Sequence, residues 1–321
     1  LIKIKLLFKL LRNLEEEKVE KRKQKKLNQI KPTTNIIFNI IFIILALMCV
    51  VPVIFVFIIS ITSENALATN GYQFIPAELS LSAYIFLWEA KEQIFTAIGV
   101  SVLVTVLGTI IGLALTTSMG YVLSRPTYKL RDFFTWVVFI PMIFNGGLIS
   151  SYVINVKVLH LRDTIWALIL PMAVSSFNII ICKTFFRTTI PDSVIESAKI
   201  DGSTQLNIYT RIVLPISKPV IATIGLFLSF GYWNDWFLSS LYIDNPKMKS
   251  LQALLNQIIK AIDYLVKNPT AGALAQDYLN KMPKESARMA IAILIVVPIA
   301  CSYPFFQRYF VTGLTIGAVK G

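Results

Sequence analysis

A chain of 321 residues that is 55% hydrophobic, with a mean hydropathy of +0.66, is too apolar for a soluble domain of its size. The formal charge is +13, and residues 1–35 alone carry eleven Lys or Arg against four Glu; with no soluble domain beside it, this cluster suits anionic lipid rather than nucleic acid. Cys49, Cys182 and Cys301 lie in apolar runs without a C-x-x-C pair, and His160 is the single histidine, which argues against a disulfide framework or a metal site.

In chain order, Ile4, Leu7, Leu11 and Leu14 recur at helical spacing among Lys3, Lys5, Lys9 and Arg12, which predicts an interfacial amphipathic helix in a basic tail of residues 1–35. Six apolar segments follow, each near the roughly 20 residues that cross a bilayer core. They are Ile36–Ile61 with Pro52, Ile94–Ser124, Phe133–Val156, Thr164–Cys182 with Pro171, Pro219–Ile243, and Met289–Gln307 with Pro298 and Pro304. The second carries Gly108-x-x-x-Gly112, a spacing that admits a close neighbouring helix. The third is expected to break near Pro141 and Asn145-Gly146-Gly147. The first run is too long for the apolar core of a signal peptide and is read as a span that stays.

Lys and Arg in the short loops orient these spans. Arg125, Lys129 and Arg131 in one loop, and Lys183, Arg187, Lys199 and Arg211 in another, point to the cytoplasm, as does the basic tail. The segment Asp244–Arg288 is assigned outside although it holds seven basic and four acidic residues; its length weakens the rule there. The expected organisation is a cytoplasmic tail of residues 1–35, a six-span domain of residues 36–313, and a cytoplasmic C-terminal tail of residues 314–321. The inner loop then covers about residues 187–215 and the outer loop about 244–288.

The most informative stretch is the polar gap between the fourth and fifth segments. Ser193-x-x-Glu196 has capping-box spacing, which predicts a short helix running to about Asp201. Gly202 is placed as a left-handed helix stop, and Ser203 or Thr204 as the cap of a second helix. Leu206, Tyr209 and Val213 form the expected apolar face of that helix, and Pro215 ends it. Periodicity by itself leaves two readings, an idle amphipathic connector or a handle that a soluble protein can push.

Glu196-Ser197-Ala198, three residues, Gly202, nine residues, then Ile212-x-Leu214-Pro215 resembles the EAA motif of binding-protein-dependent ABC importer permeases, with Ser197 in place of the middle alanine. Asp201 before Gly202, Trp233-Asn234-Asp235-Trp236-Phe237, and the final run Phe310–Gly321 look like the carbohydrate branch, closest to the second permease subunit of maltose-type importers. The resemblance covers about residues 30–321. It implies an all-α membrane protein of the type I importer permease kind, with a cytoplasmic coupling helix pair. It also implies that Glu196, Ser197, Ala198, Asp201, Gly202, Ile212, Leu214 and Pro215 contact an ATPase, with Glu196 in a salt bridge. The implied partners are a second six-span permease, two cytoplasmic ABC ATPase subunits and an extracellular sugar-binding protein, in a bacterial plasma membrane.

No G-x-x-x-x-G-K-[ST] run occurs, so ATP and Mg²⁺ are expected on the partner ATPase, and the chain is expected to be non-catalytic and without a cofactor. Asp235 is the one charge inside an apolar segment, which makes it a functional candidate, yet its place near the outer end equally suits a structural role. Tyr232, Trp233 and Trp236 with Asn234 and Asp235 are candidate sugar-pathway residues, or an aromatic belt. Rival functions are a permease for another small solute, an ion-coupled sugar carrier, which needs buried ion-binding groups near the midplane, and a membrane-embedded enzyme.

Overall fold

The computed structural model describes residues 31–267 and 283–318; the basic amphipathic stretch of residues 1–30, the middle of the outer segment and the last three residues lie outside them. The described residues are helical with no strand, and the chain divides into two units, Leu1–Val56 and Phe57–Gly321. The first unit contains most of α1 (Pro32–Ser60), an uncharged helix that opens on proline, whose missing N–H is no loss at a helix start, and that keeps Pro52 inside.

In the second unit, α2 (Glu64–Asn70) and α3 (Ser82–Glu89) are joined by a loop pinned back on the end of α1, with Ser63 N–H donating to Glu78 O at 3.0 Å and Ser80 N–H to Ile61 O at 2.9 Å. The long helix α4 (Lys91–Ser124) follows, without a proline. Its glycines let neighbours in. A Cβ on Gly108 would lie 2.5 Å from the Tyr232 ring, one on Gly112 2.9 Å from Ala173 O, and one on Gly120 2.6 Å from Cys182 Cβ.

Next come α5 (Arg131–Ile143) and α6 (Gly147–Val153), the latter running into a wide π turn over Ile154–Val158. The two parts meet at 119°, with Pro141 in the last turn of α5 and Gly147 at φ +83°. Helices α7 (Trp166–Ala173) and α8 (Ser176–Thr189) meet at 48° across Val174 and Ser175. After the polar gap, α12 (Lys218–Asn234) and α13 (Phe237–Tyr242) are separated by Asp235 and Trp236. The gap holds α9 (Asp192–Ile200), α10 (Gln205–Ile208) and α11 (Leu214–Ile216). A 3₁₀ turn over Pro246–Met248 leads to α14 (Leu251–Lys267), and α15 (Lys284–Ala318) carries the sixth apolar segment with Pro298 and Pro304 inside it.

Among the described residues, two helices are long and apolar enough to cross a membrane, α1 and α4, or up to five spans if each bent pair is one. The boundaries differ from the sequence reading in instructive ways. Helix α4 starts at Lys91 rather than Ile94, and α8 runs on to Thr189 past Cys182, because polar turns extend a helix beyond its apolar stretch. The fifth segment is two helices, since the backbone turns extended at Asp235, whose carboxylate then accepts the Leu238 N–H at 3.3 Å.

One core joins α4, α7, α8, α12 and the polar gap through Val104, Tyr121, Ile169, Phe186, Ile208 and Ile224. A second joins α3, α4, α12, α14 and α15 through Leu87, Ile94, Trp233, Leu255 and Ile291. Helices α4 and α12 are common to both.

Candidate functional site

The polar gap folds into a bent pair of short helices. Helix α9 begins at Asp192, directly after Pro191, whose fixed φ presets the first turn. The capping box expected from Ser193 and Glu196 is therefore not formed: Ser193 already lies inside the helix, and no side chain caps it. The end of α9 follows the expectation. Gly202 sits at φ +78°, Ser203 N–H donates to Ala198 O and Gly202 N–H to Lys199 O, both at 3.0 Å, which is a Schellman closure with Asp201 as the C-cap. Thr204 then caps α10, its hydroxyl accepting the Asn207 N–H at 3.3 Å.

The apolar face of the second helix is not the one periodicity implies. Helix α10 opens into a wide π turn over Tyr209–Val213, which moves later side chains off a 3.6-residue register. Ile208 and Val213 are fully buried, whereas Leu206 is 71% exposed. Pro215 and Pro219, four apart, each remove a backbone donor, and the chain turns by 84° between Gln205–Ile216 and α12. Within the motif, Ala198 is buried, Ile212 and Leu214 are half-buried, and Glu196, Ser197, Asp201 and Pro215 are exposed. Ile195 and Ala198 turn inward, so Glu196 and Ile200, the latter 86% exposed, are left on the free side with Leu206. Ile200 and Leu206 are residues the sequence reading did not single out as exposed; two large aliphatics flanking a forced turn were the available signal.

Both helices of the pair are held by the C-terminal end of α4. The Arg125 side chain is buried, and its guanidinium donates to Asp192 Oδ1 at 3.1 Å, to Phe186 O at 3.2 Å and to Ser124 Oγ at 2.9 Å while lying over the Tyr121 ring. It thus ties the end of α8 to the start of α9. The hydroxyls of Thr117 and Tyr209 are 2.7 Å apart, and Tyr121 donates to Gln205 Oε1 at 3.3 Å, with the Tyr121 and Tyr209 rings 5.3 Å apart. Arg125 entered the sequence reading only as a loop charge.

The five pathway candidates separate. Tyr232 is buried with its hydroxyl donating to Ile169 O at 2.8 Å, and Trp233 is buried with its indole N–H on Ile295 O at 3.4 Å. Asn234 and Trp236 are exposed; Asn234 donates to Phe230 O, Trp236 lies under the Lys260 ammonium, and Asp235 between them is half-buried with its carboxylate accepting the Leu238 N–H. A cleft of about 520 Å³ opens between α6, α7 and α13, with Asn145, Ser151 and Asn155 set among apolar residues that include Leu148, Phe237 and Leu241. Asn155 donates to Tyr242 Oη at 3.1 Å, and the Tyr152 and Tyr242 rings stack 5.8 Å apart.

Residues 118–316 match the family described as binding-protein-dependent transport system inner membrane component, a stretch that includes the whole helix pair. The chain is 38% identical over 272 residues to Protein LplC of Bacillus subtilis, covering 85% of this chain and 90% of the relative. It is 38% identical over 277 residues to the polygalacturonan/rhamnogalacturonan transport system permease protein YtcP of the same organism, covering 86% and 94%. Among solved structures, a bacterial ABC transporter involved in the import of the acidic polysaccharide alginate has a chain that superimposes with a TM-score of 0.73 at 29% identity, covering 88% of this chain and all of that one. With the motif in register, the left-handed glycine in place and relatives spanning most of the sequence, this chain belongs to the family of binding-protein-dependent transport system inner membrane components.

Proposed function

We propose that the chain is the permease subunit of an ATP-driven importer of oligosaccharides, moved by a separate ATPase that grips α9 and α10. The observation that carries this reading is the exposed tip of the helix pair. Glu196, Ile200 and Leu206 stand free on a support fixed by the Schellman turn, Arg125 and Tyr209. A carboxylate between large exposed aliphatics on a rigid support suits a groove with an apolar floor and a basic edge on a partner. ATP and Mg²⁺ belong to that partner, because the sequence has no phosphate-cradling loop.

The complete importer in this reading comprises this chain, a second permease, two ATPase subunits and an extracellular binding protein docking on residues 244–288. The six segments of residues 36–313 cross a bacterial plasma membrane, with residues 1–35 and 314–321 inside. An oligosaccharide cargo is supported by the relatives, whose names specify polygalacturonan and rhamnogalacturonan, and arabinooligosaccharides in a Halalkalibacterium halodurans permease 26% identical over 294 residues. The cleft sets Asn145, Ser151 and Asn155 among apolar residues such as Leu148, Ile154 and Leu241, and these polar groups are better placed to meet a hydroxyl-bearing cargo than are the buried Tyr232 and Trp233.

Uptake of labelled oligogalacturonides and arabino-oligosaccharides into proteoliposomes holding the complex tests the reading. Uptake should require ATP, be blocked by vanadate and ignore an uncoupler. Uptake abolished by the uncoupler and indifferent to vanadate identifies an ion-coupled carrier instead.

A further inference from the structure

Helix α4 is not adjacent in sequence to the polar gap, yet it holds both of its helices. At its C-terminal end, Arg125 bonds Asp192 of α9, and Thr117 meets Tyr209 just after α10. At its N-terminal part, the buried Ser101 hydroxyl accepts the Leu251 N–H at 2.8 Å. Leu251 is the first residue of α14, the described helix of the outer segment. Thr117 and Ser101 lie sixteen residues apart on one unbroken helix, about 24 Å at 1.5 Å per residue.

Between them the helix has no proline, and at Gly108 and Gly112 its neighbours pack so closely that a Cβ would collide with the Tyr232 ring and Ala173 O. The routes through covalent neighbours are interrupted. Helix α12 joins the gap across an 84° bend at Ser217 and breaks again at Asp235, and α8 meets α7 at a 48° bend. Helix α4, by contrast, spans the distance in one piece.

We propose that α4 is the strut that carries displacement of the ATPase-facing helix pair to the outer segment. Arg125 and Thr117 are its inner clamps, and Ser101 its outer clamp. These are positioning residues, and none of them is required to touch ATP or cargo. The inference rests on the reading of α9 and α10 as the ATPase contact and of α14 as the outer face.

The test uses the assembled complex with an environment-sensitive fluorophore on Lys260→Cys, an exposed position in α14, and ATP plus vanadate as the stimulus, so no cargo is needed. The native complex should change its emission on trapping. Thr117→Val and Ser101→Ala should each reduce that change about fivefold, the scale set by one hydrogen bond, with the ATPase still copurifying. Thr117→Ser and Ser101→Thr, which keep the hydroxyls, should restore it. An undiminished signal in either single variant overturns the strut. Ile200→Glu separates the two layers of the argument: it should release the ATPase, and if the ATPase is retained, the handle reading fails whatever the fluorophore reports.

Discussion

The Glu64 carboxylate caps the start of α15 from 222 residues away: its oxygens accept the Ser286 N–H at 3.3 Å, the Ser286 hydroxyl at 3.1 Å, and the Glu285 N–H at 3.1 and 3.2 Å. A helix start has orphan donors and a positive dipole end, and an anion there satisfies both. Tyr72 donates to the Glu285 carboxylate at 2.7 Å, and that hydrogen bond holds the phenol above its usual pKa. Arg288 bonds Glu285 and Asp263, so α15 is also linked to α14. Glu64→Ala should lower stability by about 1 kcal/mol, the usual worth of a cap, and should speed proteolysis between residues 267 and 283. An unchanged cleavage rate would show that the cap does not hold this end of the helix.

Gly202 has open space around its Cα, so its requirement is conformational rather than steric. At φ +78° a β-branched residue is strongly disfavoured, while asparagine tolerates the left-handed region. Gly202→Val should therefore abolish uptake while the chain still reaches the membrane, and Gly202→Asn should retain most of it. Equal activity in both would mean that the turn does not set the angle between α9 and α10.

In the proposed docking, Glu196 and Leu206 make opposite demands on the ATPase surface. A charge pair shielded at an interface costs about 2–5 kcal/mol when one partner is truncated. Glu196→Ala and Leu206→Asp should each strip the ATPase from the purified complex, whereas Ser193→Ala, at an exposed position whose expected cap is not formed, should not. Copurification measured for the three variants distinguishes a docked handle from a connector.

Much of this was legible in the sequence, for identifiable reasons. Apolar length marks α1, α4 and three bent helix pairs, up to five candidate spans among the described residues where six were expected, and a helix stop followed by a capping Thr204 reads directly from residue type. Gly108 and Gly112 announced the close approach that Tyr232 and Leu228 make. What stayed hidden depends on register or on distant partners. The π turn after Ile208 shifts the face by which Leu206 was assigned inward, and α9, with Pro191 at its N-cap, starts two residues too early for a capping box. The role of Arg125 arises from three acceptors, two of them more than sixty residues away, and no local pattern encodes that.

Gly120 offers a test of the packing along α4. A Cβ there would sit 2.6 Å from the Cβ of Cys182, too close for any rotamer to relieve. Overpacking of this kind costs about 1–3 kcal/mol, so Gly120→Ala should lower the amount of chain in the membrane. An unchanged amount would show that α4 and α8 yield at this contact without cost.

The last prediction concerns orientation. The loops holding Arg125–Arg131 and Lys183–Arg211 carry the bias expected of cytoplasmic segments, while the basic residues of 244–288 run against it. Arg288 is engaged by Asp263 and Glu285, Lys260 lies over Trp236, and Lys249 donates to Gln257 at 2.8 Å. These partners leave the count of Lys and Arg unchanged, and it is the length of the segment that weakens the rule there. After replacement of the three native cysteines, Lys260→Cys should react with an impermeant maleimide on intact cells. Lys199→Cys, exposed at the end of α9, should react only once the membrane is opened. The reverse pattern would put the helix pair outside, beyond reach of any ATPase, and the coupling mechanism would fall with it.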